Sequence, residues 1–130
     1  MENRELMYLA ENAKQKSYSP YSKFKVGAAL LTKDGKIYVG ANIENSSYPL
    51  TVCAERVAFF KAISEGEKEF EKIAISGSSD NFCFPCGACR QVMSEFCAGD
   101  FKILCAGEEE VKTFTLSELL PERFGPEVLK

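Results

Sequence analysis

Histidine and tryptophan are absent from this chain, and no apolar run approaches the length of a membrane span. The missing imidazole excludes every catalytic scheme built on it, so proton transfer near neutral pH falls to a carboxylate or to metal-activated water. A basic surplus is missing too: 16 Lys and Arg stand against 19 Asp and Glu, a formal charge of −3. Tight nucleic-acid binding normally needs the opposite balance, so no nucleic-acid partner is expected and the substrate is read as a small molecule. Without a stretch of about 20 apolar residues, no membrane partner is expected either. Met1-Glu2-Asn3-Arg4-Glu5 is too polar for a signal peptide, which predicts a cytoplasmic, reduced chain. Its 130 residues, 45% of them hydrophobic, suffice for one core and predict a single domain over 1–130.

What the chain does have is six cysteines. Cys53-Ala54-Glu55 is followed, 33 positions after its cysteine (86 − 53), by Pro85-Cys86-Gly87-Ala88-Cys89. Three thiolates and a carboxylate that need not be a ligand make the inventory of a water-activating zinc site, because a catalytic zinc keeps one position open. Side chains three apart on a helix share a face, so Pro-Cys-x-x-Cys can turn both sulfurs toward one ion if Pro85 leads into a helix. A second helix is expected to start at Cys53, so that two helix N-termini favour the thiolate form. This is the pattern of the zinc deaminases, in which the Glu carries protons. Other uses of these cysteines stay open. Cys86 and Cys89 could be a redox pair, although that leaves Cys53-Ala54-Glu55 without a purpose. A closed structural zinc site would need a fourth ligand, and Cys83, three before Cys86, could supply it. A disulfide framework fits a reduced chain poorly, and Cys97 and Cys105 read as small core residues.

Periodicity predicts a helix from about Glu2 to Lys16 with Leu6, Leu9, Ala10 and Ala13 on one face. Val26–Leu31 and Ile37–Gly40 flank Asp34-Gly35 as a hairpin. A helix from Cys53 to Gly66, a strand at Lys72–Ser76, a helix from Cys86 to about Cys97 and a strand at Phe101–Cys105 follow. Val111–Thr115 reads as a fifth strand before a short helix at Leu116–Leu120. The fold class expected is α/β, a mixed five-stranded sheet between helical layers, with the later strands parallel. The cysteines then lie at helix starts beside the carboxyl ends of strands.

Four blocks carry a resemblance: Pro20-Tyr21-Ser22-Lys23-Phe24-Lys25-Val26-Gly27-Ala28-Ala29, Asn42-Ile43-Glu44-Asn45, Thr51-Val52-Cys53-Ala54-Glu55-Arg56 and Pro85-Cys86-Gly87-Ala88-Cys89-Arg90-Gln91. In this order they resemble the small zinc-dependent cytidine deaminases over nearly the whole chain, and the three-layer α/β/α fold of that family. The resemblance implies one zinc per chain on Cys53, Cys86 and Cys89, with Glu55 as proton shuttle. It implies hydrolysis of cytidine and 2'-deoxycytidine at C4 by zinc-activated water, with ammonia released, in pyrimidine salvage. Asn42 and Glu44 would bind the ribose 3'-hydroxyl, Phe24 would pack against the base, and Ala54 and Phe84 would also line the substrate. Phe84 stands where the family often has a small serine whose carbonyl helps recognise the base, which makes the pocket rim here distinctive. The family is typically homotetrameric, and Tyr48 and Phe124 would then complete neighbouring sites.

Three thiolates leave a zinc centre with a formal charge of −1, which makes its water less acidic, so a cation near the sulfurs is needed. Arg56, next to Glu55, is the expected donor to them. Competing functions are a deaminase of modified cytosine nucleosides resembling blasticidin S deaminase, a polynucleotide deaminase, for which the charge balance is wrong, and a non-enzymatic zinc-stabilised interaction module that would need Cys83 as a ligand.

Overall fold

Asp34-Gly35 turns the chain back on itself, with Gly35 at φ +92°, a conformation that glycine adopts without strain. In the computed structural model, which describes residues 1–129, this turn joins β1 (Val26–Thr32) to β2 (Ile37–Ala41) as an antiparallel hairpin. Along β1, Ala28 and Leu30 enter one apolar cluster while Ala29 and Leu31 enter another. That alternation means that both faces of β1 are covered by apolar packing. The sheet order is β2-β1-β3-β4-β5. β3 (Phe70–Gly77) lies antiparallel to β1, and β4 (Lys102–Ala106) lies parallel to β3. β5 (Val111–Thr115) runs antiparallel to β4. The expectation that the later strands are all parallel therefore holds for β3 and β4 alone. Residues 107–110 are too few for a crossover, so β4 and β5 can only form a hairpin.

On one face, α1 (Asn3–Ala13) buries Leu6, Met7, Ala10 and Ala13 against Ala29, Leu31, Ala74 and Leu104. It stops three residues short of the expected end and continues as the 3₁₀ turn Lys14–Lys16. Met7 joins this packing, and Leu9, half-buried, packs against it as expected. On the other face, α2 (Ala54–Ser64), α3 (Gly87–Phe96) and the short α4 (Leu116–Leu119) cover Ala28, Leu30, Ile73, Ile75, Ile103 and Cys105. The result is the expected three-layer α/β/α arrangement around a mixed five-stranded sheet.

The seat of α2 is set by an absence of side chain. A Cβ on Gly40 of β2 would stand 2.5 Å from the Ala54 carbonyl oxygen and 2.7 Å from the Ala58 nitrogen, both backbone atoms that cannot swing aside. The first turn of α2 thus rests directly on the sheet, and with it Cys53, its N-cap. Gly40→Ala should destabilise the protein by about 1–3 kcal/mol, the range for overpacking, whereas Gly87→Ala should stay within about 0.5 kcal/mol. At Gly87 nothing lies within 4 Å of the added carbon. Urea unfolding of the two variants checks this, and equal stabilities would show that α2 can move off the sheet.

Candidate metal centre

Cys53 caps the N-terminus of α2 and Cys86 that of α3, while Cys89 sits three residues on in the first turn of α3. Pro85 delivers the chain to this start fully buried. The Cys86 sulfur accepts the Cys89 backbone N–H at 3.4 Å, so one thiol serves as both helix cap and metal donor. The Sγ atoms of Cys53 and Cys86 are 3.6 Å apart, those of Cys86 and Cys89 3.5 Å. All three lie within 4.8 Å of one another. Two thiolates each about 2.3 Å from a tetrahedral zinc stand about 3.8 Å apart, so the set fits that ion and is arranged to hold one. Cys83 lies outside the group. A fourth protein ligand is therefore lacking among the described residues, as in a site that keeps a position open rather than a closed structural one.

Crowded sulfurs cannot all ionise on their own. Cys53 takes the charge: a hydrogen bond from Cys89, helped by Arg56, brings it down to about 5. Cys89 is pushed up in turn, by its bond to Cys53 and by burial. Arg56 donates from Nη2 to the Cys53 sulfur at 3.4 Å, and its buried Nε has no hydrogen-bond partner. The guanidinium thus gives one hydrogen bond to a sulfur of the set. Glu55, only 4% exposed, is pushed up to about 7, first by burial and then by the charge on Cys53. A carboxyl balanced between its two forms at neutral pH is suited to accept and return a proton. Burial pushes Cys97 and Cys105 up to about 12, in keeping with core thiols.

Phe24 and Cys83 meet over Gly77, at the end of β3. A Cβ there would be 3.0 Å from the Phe24 ring and 3.0 Å from the Cys83 sulfur. Cys83 in turn feels the charge of Glu55 and is pushed up to about 11, mainly by burial. Phe24 is thereby brought to the same end of the sheet as the sulfurs. Asn42 and Glu44 are buried and point the same way, with exposed Ile43 between them, as the i, i+2 spacing predicts. Asn42 donates from Nδ2 to the Phe24 carbonyl at 2.8 Å and accepts the Val26 N–H at 2.9 Å. The Glu44 carboxylate accepts from the backbone N–H of Tyr21 at 2.9 Å and of Ser22 at 3.2 Å, and from the Ser22 hydroxyl. Those bonds hold its pKa below the usual carboxylate range, the Ser22 hydroxyl contributing most.

Ser22 is a residue that sequence reasoning missed. Its hydroxyl also accepts the Phe24 N–H at 3.0 Å, which links Phe24 to Glu44. The signal was present: a serine bonding the N–H two positions on is a common turn device, and the turn forces Lys23 to φ +62°. Ala54 is fully buried in the first turn of α2, where backbone N–H groups lack intrahelical acceptors. The Phe84 ring packs edge-on to Phe114 of β5, centroids 5.7 Å apart, and near Phe82 at 6.3 Å. Phe84 nonetheless remains among the exposed aromatic residues. Tyr48, on the 3₁₀ turn Tyr48–Leu50, is 75% exposed and Phe124 is 57% exposed, so in the single chain both side chains face outward.

Comparison with known proteins agrees with this geometry. The family described as the cytidine and deoxycytidylate deaminase zinc-binding region matches residues 1–105. A cytidine deaminase of Sporosarcina psychrophila is 45% identical over 130 residues, covering 99% of this chain and 96% of that protein. One from Halalkalibacterium halodurans is 48% identical over 128 residues, covering 98% and 97%. Among solved structures, cytidine deaminase from Burkholderia pseudomallei superposes with a TM-score of 0.92 at 43% identity, over 95% of this chain and 100% of that one. Cytidine deaminase from Mycobacterium tuberculosis gives 0.85 at 36% identity, over 96% and 98%.

Metal analysis should find one zinc per chain, lost in Cys53→Ser and Cys86→Ser and kept in Cys83→Ser. Arg56→Ala should release zinc to a chelator about 10-fold faster or more, the usual effect of losing a partner of a ligand. Wild-type release would remove that role from Arg56.

Proposed function

Because the chain belongs to the family of cytidine and deoxycytidylate deaminases defined by this zinc-binding region, we propose that it hydrolyses cytidine and 2'-deoxycytidine to uridine and 2'-deoxyuridine, releasing ammonia. It does so as a single catalytic domain. The observation that carries the reading is the convergence of three sulfurs at two helix starts beside a buried, uptitrated Glu55.

Cys53, Cys86 and Cys89 hold the metal. Zinc bound there acts as a Lewis acid that brings the pKa of water down toward about 7, which makes a nucleophile available at neutral pH. Glu55 does the proton work: its carboxylate takes the proton of the attacking water, passes it to N3 of the pyrimidine and carries a second to the departing amine at C4. Burial suits it to both roles, because desolvation raises its proton affinity while leaving it able to ionise. Arg56 draws charge from the Cys53 sulfur and so offsets the negative charge of three thiolates.

Substrate placement falls to the loop that precedes β1. Phe24 lies at the metal end of the sheet and offers its face to the base, with the Ala54 backbone and the Phe84 carbonyl as polar contacts. Asn42 and Glu44 face the ribose 3'-hydroxyl, which both substrates carry. Their bonds to the Phe24 segment do not use all their capacity: a carboxylate has about four lone-pair sites and an amide two donors. Exposed Tyr48, Leu50, Phe60 and Phe124 supply the apolar surface for a homotetramer in which Tyr48 and Phe124 complete neighbouring sites. The proposed setting is the cytoplasm, in pyrimidine salvage; among the described residues no helix is long and apolar enough to cross a membrane.

Zinc-loaded protein should deplete the ultraviolet band of cytidine with release of ammonia. Glu55→Ala should keep its zinc and lose at least about 100-fold in kcat, the lower range for losing a general acid–base group. Full activity in that variant would remove Glu55 from the reaction, and an unchanged cytidine spectrum with zinc-loaded wild type would overturn the reading. Ser22→Ala removes both hydroxyl hydrogen bonds, to Glu44 and from the Phe24 N–H, that link Phe24 to Glu44. It should raise KM about 5-fold, with kcat little changed, as expected for about 1 kcal/mol of positioning; steady-state kinetics with cytidine decide it.

A further inference from the structure

Arg90 makes two hydrogen bonds that neither the metal set nor the proposed reaction uses. It directly follows Cys89 on α3, half-buried. Its guanidinium forks between two backbone carbonyls: Nε donates to Pro85 and Nη1 to Leu119, each at 2.8 Å. Neither carbonyl is among those accepting a loop or cap N–H in the described residues. Pro85 is fully buried and immediately precedes the metal-binding Cys86, so its carbonyl needs a partner and its position sets that of the Cys86 sulfur. Leu119 is the last residue of α4, where the final carbonyls have no intrahelical donor.

From Leu119 the chain runs on to Phe124, whose carbonyl is held by the same helix: Gln91 donates from Nε2 at 2.8 Å and Ser94 from Oγ at 3.0 Å. The helix that presents two of the three metal ligands at its start therefore also grips the C-terminal segment with three side chains, Arg90, Gln91 and Ser94. A planar guanidinium suits the pair of hydrogen bonds to the Pro85 and Leu119 carbonyls, because its donors leave in fixed, divergent directions; a lysine ammonium is a compact charge on a flexible stem.

We propose that Arg90 is a positioning residue that couples the metal loop to the C-terminal segment, so that the placement of Cys86 and the order of residues 119–125 depend on one another. The importance of Phe124 in this coupling rests on the proposed function; the coupling itself does not. Arg90 touches neither metal nor substrate and acts through Pro85 and Leu119.

The test measures zinc release to a chelator and backbone hydrogen exchange on zinc-loaded wild type, Arg90→Lys and the double variant Gln91→Ala/Ser94→Ala. Arg90→Lys should release zinc about 10-fold faster or more, and residues 119–125 should exchange about 5-fold faster, as for the loss of one hydrogen bond. Exchange in β1 and β3 should stay at the wild-type rate. The double variant, which leaves the Arg90 bonds in place, should speed exchange at 119–125 and should also speed zinc release, by less than Arg90→Lys does. Wild-type zinc release in Arg90→Lys would overturn the proposal, as would faster exchange spread equally through β1 and β3, which marks general destabilisation. Should Arg90→Lys fail to fold, wild type alone decides. Removing its zinc should speed exchange at 119–125, and equal rates with and without zinc would overturn the coupling. None of these readouts involves substrate, so a failure to turn over cytidine would sink the deaminase reading and leave this result standing.

Discussion

Three thiolates have to be held within a few ångströms of one another, and like charges at that distance repel. Every feature around the site answers that constraint. The helix starts at Cys53 and Cys86 turn partial positive charge toward the sulfurs, Arg56 adds a full one, and a divalent cation settles the rest. Left to themselves the thiols divide the charge unevenly, Cys53 falling while Cys89 rises. The geometry is ready for a metal before the charge balance is. Metal uptake therefore releases protons, and affinity weakens as the pH falls.

Holding the sulfurs in place is a task for backbone rather than side chains. The contact at Gly40 sets α2 against the sheet with no room to slide, and buried Pro85 directs the start of α3. A rigid sheet end thus supplies the metal centre. Asn42 and Glu44 are each tied to the backbone of the segment carrying Phe24, so that under the proposed function the groups offered to the sugar would also fix the group offered to the base.

The secondary structure was legible because its signals are local. Asp34-Gly35, the alternation in β1 and the stop at Gly66, which sits at φ +96°, all act within a few residues. The metal ligands were legible for a different reason: soft donors at i and i+3 with a third at a helix start have few other uses. Strand direction was less so. The parallel expectation failed at β5 because it followed the βαβ rule past the point where the connection is long enough for a crossover. The turn made by Ser22 leaves a local signal, but its bond to Glu44 and the bonds of Arg90 were not legible, since a turn serine and a helix arginine are common and their partners are a carboxylate 22 positions away and a carbonyl 29 positions away. Long-range hydrogen bonds to backbone leave almost no trace in a single sequence.

The absence of histidine has a physical consequence. Neutral imidazole ligands leave the full charge of a zinc ion to act on its water, whereas three thiolates reverse its sign. A chain that relies on sulfur alone must restore the electrophilicity from outside the ligand set, and in the proposed reaction Arg56 and the two helix starts would do so. The proposed proton carrier, Glu55, is withdrawn from solvent beside the same sulfurs, and burial, followed by the charge on Cys53, raises its proton affinity. A strongly electrophilic metal with a weak base and a weaker electrophile with a stronger base are alternative solutions to one proton transfer. The proposed reaction would use the second.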